Sequence, residues 1–155
     1  MTNKQIISKL IENNITISTA ESCTGGSLGK IITSVSGASK IYGFGFITYA
    51  NEAKEKILGV PANILEEFGA VSHQTAVLMA EGARKVSGSD IAVSVTGIAG
   101  PTGGTKEKPV GLVYIALSDK DSTVYKKLNL DGSRDEVRKK TCDEVFKLIA
   151  EKMNF

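Results

Sequence analysis

The spacing of apolar positions changes along the chain, and each change marks an element. Ile6, Ile7, Leu10 and Ile11 fall at helical spacing, so residues 3–13 predict an amphipathic helix that Asn13-Asn14 ends. Ile15-Thr16-Ile17-Ser18-Thr19 alternates apolar and polar residues and is rich in β-branched types, which predicts a strand. A sharp turn over 20–26 leads into a short helix over 27–34. Residues 42–49, Tyr-Gly-Phe-Gly-Phe-Ile-Thr-Tyr, read as a second strand whose glycines suggest a bulge or a close approach by another backbone or a ligand. Asn51 is the expected cap of a helix over 52–58, ended by Gly59 and Pro61, and Ser72 the expected cap of a longer helix over 73–87. Ile91 to Val95 is almost wholly apolar and predicts a strand buried on both faces. Strands over 110–118 and 122–129 flank a tight hairpin at 119–121. The last helix, 133–152, carries Val137, Val145, Phe146, Leu148, Ile149 and Met153 on or near one face.

The order α-β-α-β-α-α-β-β-β-α predicts an α/β fold, a three-layer α/β/α sandwich on a mixed, mainly parallel sheet of about five strands. With 155 residues and no internal repeat or linker, residues 1–155 are expected to form a single domain. Hydrophobic residues make up 41% and charged residues 23%, enough apolar material for one core without disulfide or metal staples.

Charge and cysteine content narrow the function classes. The net charge of +2 arises from 19 basic and 17 acidic residues mixed along the chain, a poor footprint for nucleic acid. Two cysteines fit a reducing compartment, no apolar run approaches the ~18 residues of a membrane span, and the N-terminus has no signal-peptide core. A cytoplasmic protein without membrane or nucleic-acid partners is expected.

Three stretches could carry chemistry. The first is Thr19-Ala20-Glu21-Ser22-Cys23-Thr24-Gly25-Gly26, which leaves a strand and enters a helix within a few residues. That geometry suits Ser22 as a nucleophile with neighbouring N–H groups holding an oxyanion. It suits equally a plain helix cap by Ser22 and Thr24, which spacing alone favours. Cys23 is a rival nucleophile, since a helix start can lower a thiol pKa. The second stretch runs from Thr48 to Lys54. With Asn51 as cap, Lys54 sits in a first helical turn, where the helix dipole disfavours its charge by ~0.3–1 kcal/mol. Burial would depress its pKa further and leave a neutral amine able to act as a base, with Tyr49 nearby to relay or donate a proton. A solvated lysine and a partly buried aromatic are the commoner roles for these types.

The third stretch is Thr96 to Thr105, where Gly97, Gly100, Gly103 and Gly104 surround Pro101. Its N–H groups can converge on an anion, although the following strand excludes both the P-loop and the dinucleotide fingerprint. Arg134 and Arg138, four apart on one helix face, could clamp a phosphate or carboxylate, or pair with Asp135 and Glu136 in solvent. His73, the only histidine, reads as a surface or cap residue, and no His, Cys or Asp cluster has metal-ligand spacing.

Taken together, Thr19–Gly26, Thr48–Lys54, Gly69-Ala-Val-Ser72, Thr96–Gly104 and Lys108-Pro-Val-Gly111, followed by Gly132–Arg138, make the chain similar to the CinA C-terminal family over almost its whole length. The resemblance implies a nicotinamide mononucleotide deamidase, giving nicotinate mononucleotide and ammonia, with a three-layer mixed α/β/α fold and a homo-oligomer. It implies Ser22, Tyr49 and Lys54 as the catalytic set. On this reading a small-molecule nucleotide is held by Glu21, Cys23, Thr24, Gly25 and Gly26, by Thr96, Gly97, Gly100, Gly103 and Gly104, and by Arg134 and Arg138, with no metal and no cofactor. Longer relatives carry an N-terminal domain resembling molybdopterin-binding proteins; a pyrophosphatase activity tied to that domain is not expected of these residues. Two other readings compete: a non-catalytic nucleotide-binding module for regulation or assembly, and an amidase for a different pyridine or nucleotide amide.

Overall fold

In the computed structural model, which describes residues 1–155, five strands form one sheet. They are β1 (Ile17–Glu21), β2 (Phe44–Ile47), β3 (Ile91–Gly97), β4 (Leu112–Ser118) and β5 (Thr123–Asn129), hydrogen-bonded in the order β2-β1-β3-β4-β5. β1 pairs in parallel with β2 and β3, while β4 is antiparallel to both its neighbours, so four strands run one way and β4 is reversed. The sheet is mixed, and mainly parallel by strand direction.

The helices α1 (Asn3–Glu12), α2 (Ser27–Thr33) and α6 (Arg134–Met153) cover one face; α3 (Asn51–Leu58), α4 (Ala62–Phe68) and α5 (His73–Ser87) cover the other. The two faces differ chemically. Val93, Val95, Val113, Ile115 and Leu117 meet Ile6, Leu10, Val145, Phe146 and Ile149 in the larger core. On the opposite face the sheet offers Ala92, Ser94 and Ala116, small enough for Ala76, Ala80 and Ala83 of α5 to lie close. A side chain at Gly82 would come within 2.0 Å of the Leu58 carbonyl, so the crossing of α5 over α3 requires glycine there.

Several elements differ from the sequence reading. β1 starts two residues later than expected: Ile17–Glu21 is wholly buried, pairs along its length with β3, and from Ser18 on pairs with β2 as well. Its polar members are satisfied inside: Ser18 shares a hydrogen bond with Ser89 at 2.9 Å and Thr19 with the Tyr42 hydroxyl at 2.7 Å. Asn51 is not the cap of α3; Ala50 holds that position without a side-chain bond, and Asn51 is the first helical residue. Pro61 does not only end a segment. It fixes φ just before α4, a helix the reading lacked. Ser72 and Ser133 cap α5 and α6, accepting from Thr75 N and Glu136 N. Met153 is only half-buried, whereas the other five expected face residues of α6 are buried.

Candidate active site

The sheet opens a crevice where its connections diverge. The chain crosses from β1 through α2 to β2 on one side, then returns to β3 on the other side of β1. The carboxyl ends of β1 and β3 therefore border a gap, the usual place for a ligand in an open parallel sheet. Ser22 follows β1 directly, and Thr96 and Gly97 end β3. These residues line a cleft of about 340 Å³ with Cys23, Tyr49, Lys54, the 98–103 loop and Arg134.

The turn that carries Ser22 is held from below. Ser22 N donates to the Val95 carbonyl, and its own carbonyl accepts from Gly25 N, both at 3.1 Å. The positive φ of Gly25 and Gly26 lets the chain reverse into α2. The N–H groups of Cys23 and Thr24, immediately after Ser22, donate to no backbone carbonyl. Gly26, the N-cap of α2, offers no side chain, and Glu21 does that work from the preceding strand. Its buried carboxylate accepts from Leu28 N at 2.9 Å, Gly29 N at 3.1 Å and the Thr24 hydroxyl at 2.8 Å. Glu21 thus faces the helix start and not the cleft. Glu21→Ala is expected to destabilise the fold by about 3 kcal/mol, since charge-assisted bonds to buried donors are lost together; urea unfolding of the two proteins measures the difference.

Lys54 lies across from Ser22 and is 1% exposed. Its Nζ donates to Ser22 Oγ at 3.1 Å, to the Thr48 carbonyl at 2.7 Å and to the Tyr49 carbonyl at 3.3 Å. No carboxylate is among these partners. Burial without a counter-ion pushes the Lys54 pKa down to about 8. In the neutral amine two N–H groups stay on the two carbonyls, and the lone pair faces Ser22 Oγ. The Cys23 thiol goes the other way: burial raises its pKa to about 11, so it offers little thiolate near neutrality.

The Tyr49 hydroxyl accepts from Arg134 Nη2 at 3.1 Å, and Arg134 Nη1 donates to the Gly100 carbonyl at 2.8 Å. The Tyr49 carbonyl reaches Lys54; its hydroxyl is engaged at the mouth of the cleft. Arg134 and Arg138 share a helix face but not a site. Arg138 turns under the turn that carries Ser22, where Nη2 donates to the Thr24 carbonyl at 3.0 Å. Of the expected binding residues, Cys23, Thr96, Gly97, Gly100, Gly103 and Arg134 line the cleft; Glu21, Thr24, Gly25, Gly26, Gly104 and Arg138 do not. Gly104 packs against Val110. Ile98, Ala99 and Thr102 of the expected 96–105 loop also line it; Ala70 and Val71 line it too and were not expected, although the Gly69–Ser72 motif was a signal for them. The only ionisable side chains with a head group of positive charge at the cleft are Lys54 and Arg134, and no carboxylate lines it. No group of three or more His, Cys, Asp or Glu side chains comes together as a metal cluster. His73 stacks on Tyr125, ring centroids 4.6 Å apart, outside the cleft. No helix is long and apolar enough to cross a membrane.

Residues 1–153 match the CinA C-terminal domain family. A CinA-like protein of Kosmotoga olearia is 53% identical over 133 residues, which cover 86% of this chain and 32% of that protein. A CinA-like protein of Endomicrobium trichonymphae is 51% identical over 144 residues, 93% of this chain and 34% of the relative. The chain therefore spans about a third of the length of these relatives. Among solved structures, the competence/damage inducible protein CihA from Agrobacterium tumefaciens superposes with a TM-score of 0.93 at 41% identity, covering 96% of this chain and 92% of that one. The competence damage-inducible protein A of Klebsiella pneumoniae gives 0.94 at 30% identity, covering 99% and 98%.

Proposed function

The chain belongs to the CinA C-terminal domain family, and from that premise we propose that it is a serine amidohydrolase that deamidates nicotinamide mononucleotide. The observation that carries this reading is the buried Lys54–Ser22 contact at 3.1 Å, an amine with a depressed pKa and no counter-ion against a hydroxyl on a strand-to-helix turn. That is the arrangement of an activated nucleophile and its base.

Ser22 Oγ attacks the carboxamide carbon as its proton passes to Lys54 Nζ. The carbonyl oxygen becomes an oxyanion, which the free N–H groups of Cys23 and Thr24 stabilise. As the tetrahedral intermediate collapses, Lys54 returns the proton to the leaving nitrogen and ammonia departs. Water then attacks the Ser22 ester, again deprotonated by Lys54, and releases nicotinate mononucleotide. Lys54 is the direct base; Tyr49 orients it through its carbonyl and walls the cleft with its ring. Arg134 and the N–H groups of Gly100, Thr102 and Gly103 hold the phosphate, in keeping with a cleft that has no carboxylate. The protein acts in the cytoplasm as a homo-oligomer, without metal or cofactor.

The pH profile tests the reaction and its base together. Only neutral Lys54 accepts the serine proton, so ammonia release from nicotinamide mononucleotide should rise tenfold per pH unit below about 8 and level off above it. Tight mononucleotide binding with no ammonia at any pH would overturn the proposal.

A further inference from the structure

The two edges of the sheet are built differently. β5 carries Lys126 and Lys127 on its edge, the usual protection against pairing with another chain. β2, the opposite edge, has no charged residue between Tyr42 and Tyr49. Its exposed positions are apolar: Phe44 is 48% exposed, Ile47 57% and, just beyond the strand, Tyr49 61%. Thr48 N donates inward to the Glu21 carbonyl, so strand alternation turns the N–H and C=O groups of Gly45 and Ile47 outward, where no strand meets them.

We infer that β2 is the seam of a twofold dimer, pairing antiparallel with β2 of a second copy about Phe46; this rests on the homo-oligomer in the reading above and says where it joins. The sequence Gly43-Phe44-Gly45-Phe46-Ile47-Thr48-Tyr49 is self-complementary in that register. Gly45 lies opposite the partner's Ile47 and the two exchange both backbone hydrogen bonds, while Gly43 lies opposite the partner's Tyr49. Gly43 therefore faces a large exposed side chain, whereas Gly45 is required inside its own subunit, where a side chain would meet the Tyr42 hydroxyl at 2.1 Å. The seam accounts for Gly43, which nothing in one subunit requires. On the other face Phe46 meets its own copy, and Phe44, already stacked on Phe46 at 6.2 Å, extends a four-ring cluster across the axis. The seam runs up to the cleft: the partner's Gly43 supports the ring of Tyr49, so the second copy braces one wall of the active site.

Sedimentation equilibrium of the wild type should give a particle of twice 16.4 kDa. Gly43→Arg is the sharpest variant, because a Cβ at Gly43 meets no atom within 4 Å in one subunit yet falls where the partner's Tyr49 would sit. It should raise the self-association Kd by about 100-fold with an unchanged melting profile of the subunit. A wild type that stays monomeric would overturn both the oligomer and the seam. An oligomer that Gly43→Arg leaves intact would overturn the seam alone.

Discussion

Ser22→Ala is expected to lower ammonia release from nicotinamide mononucleotide by about 10⁴-fold, the scale on which hydrolases lose activity with their nucleophile. The variant should still fold, since the only side-chain partner of Ser22 Oγ is Lys54 and the turn is fixed by backbone bonds to Val95 and Gly25. Initial rates, with unfolding curves that agree within about 1 kcal/mol, provide the check. Near-normal turnover would shift the nucleophile to Cys23, against a thiol held at a pKa of about 11.

Lys54→Met is expected to cost about 10³-fold in kcat, the contribution of a well-placed base, and to abolish the rise in rate that ends near pH 8. Stability gives an independent reading of the same amine. The folded pKa of about 8 lies below the ordinary 10.5 of the unfolded chain, so folding excludes a proton between those values. The penalty is fully present below about pH 8 and is relieved as pH rises toward 10.5. Over that interval wild type should gain stability relative to Lys54→Met, as measured by urea unfolding at several pH values. Parallel curves would mean that Lys54 keeps an ordinary pKa, and the base assignment would fail with it.

These side chains show how far the sequence could be read. The elements were legible because periodicity reports burial, and Ser72 capped α5 as its spacing predicted. Pairing of Ser22 with Lys54 was not legible from spacing: each taken alone looked like a cap serine and a solvated lysine. Only the parallel crossover from β1 to β2 brings residues 32 positions apart into contact. Family resemblance joined them where local pattern could not. Glu21 was expected to hold substrate as part of the Thr19–Gly26 motif, but α2 is capped by a glycine and takes its acceptor from the strand before it. Arg134 and Arg138 share a face by spacing, yet a helix face sweeps over several neighbours: Arg134 meets the cleft and Arg138 the carbonyl of Thr24. The helix α4 was missed because Pro61 serves as readily to start a helix as to stop one.

The most direct test is to incubate the purified protein with nicotinamide mononucleotide and follow the products by proton NMR beside an ammonia assay. The account predicts nicotinate mononucleotide and ammonia in equal amounts. Free nicotinamide with ribose phosphate, or unchanged substrate beside folded protein, would contradict it.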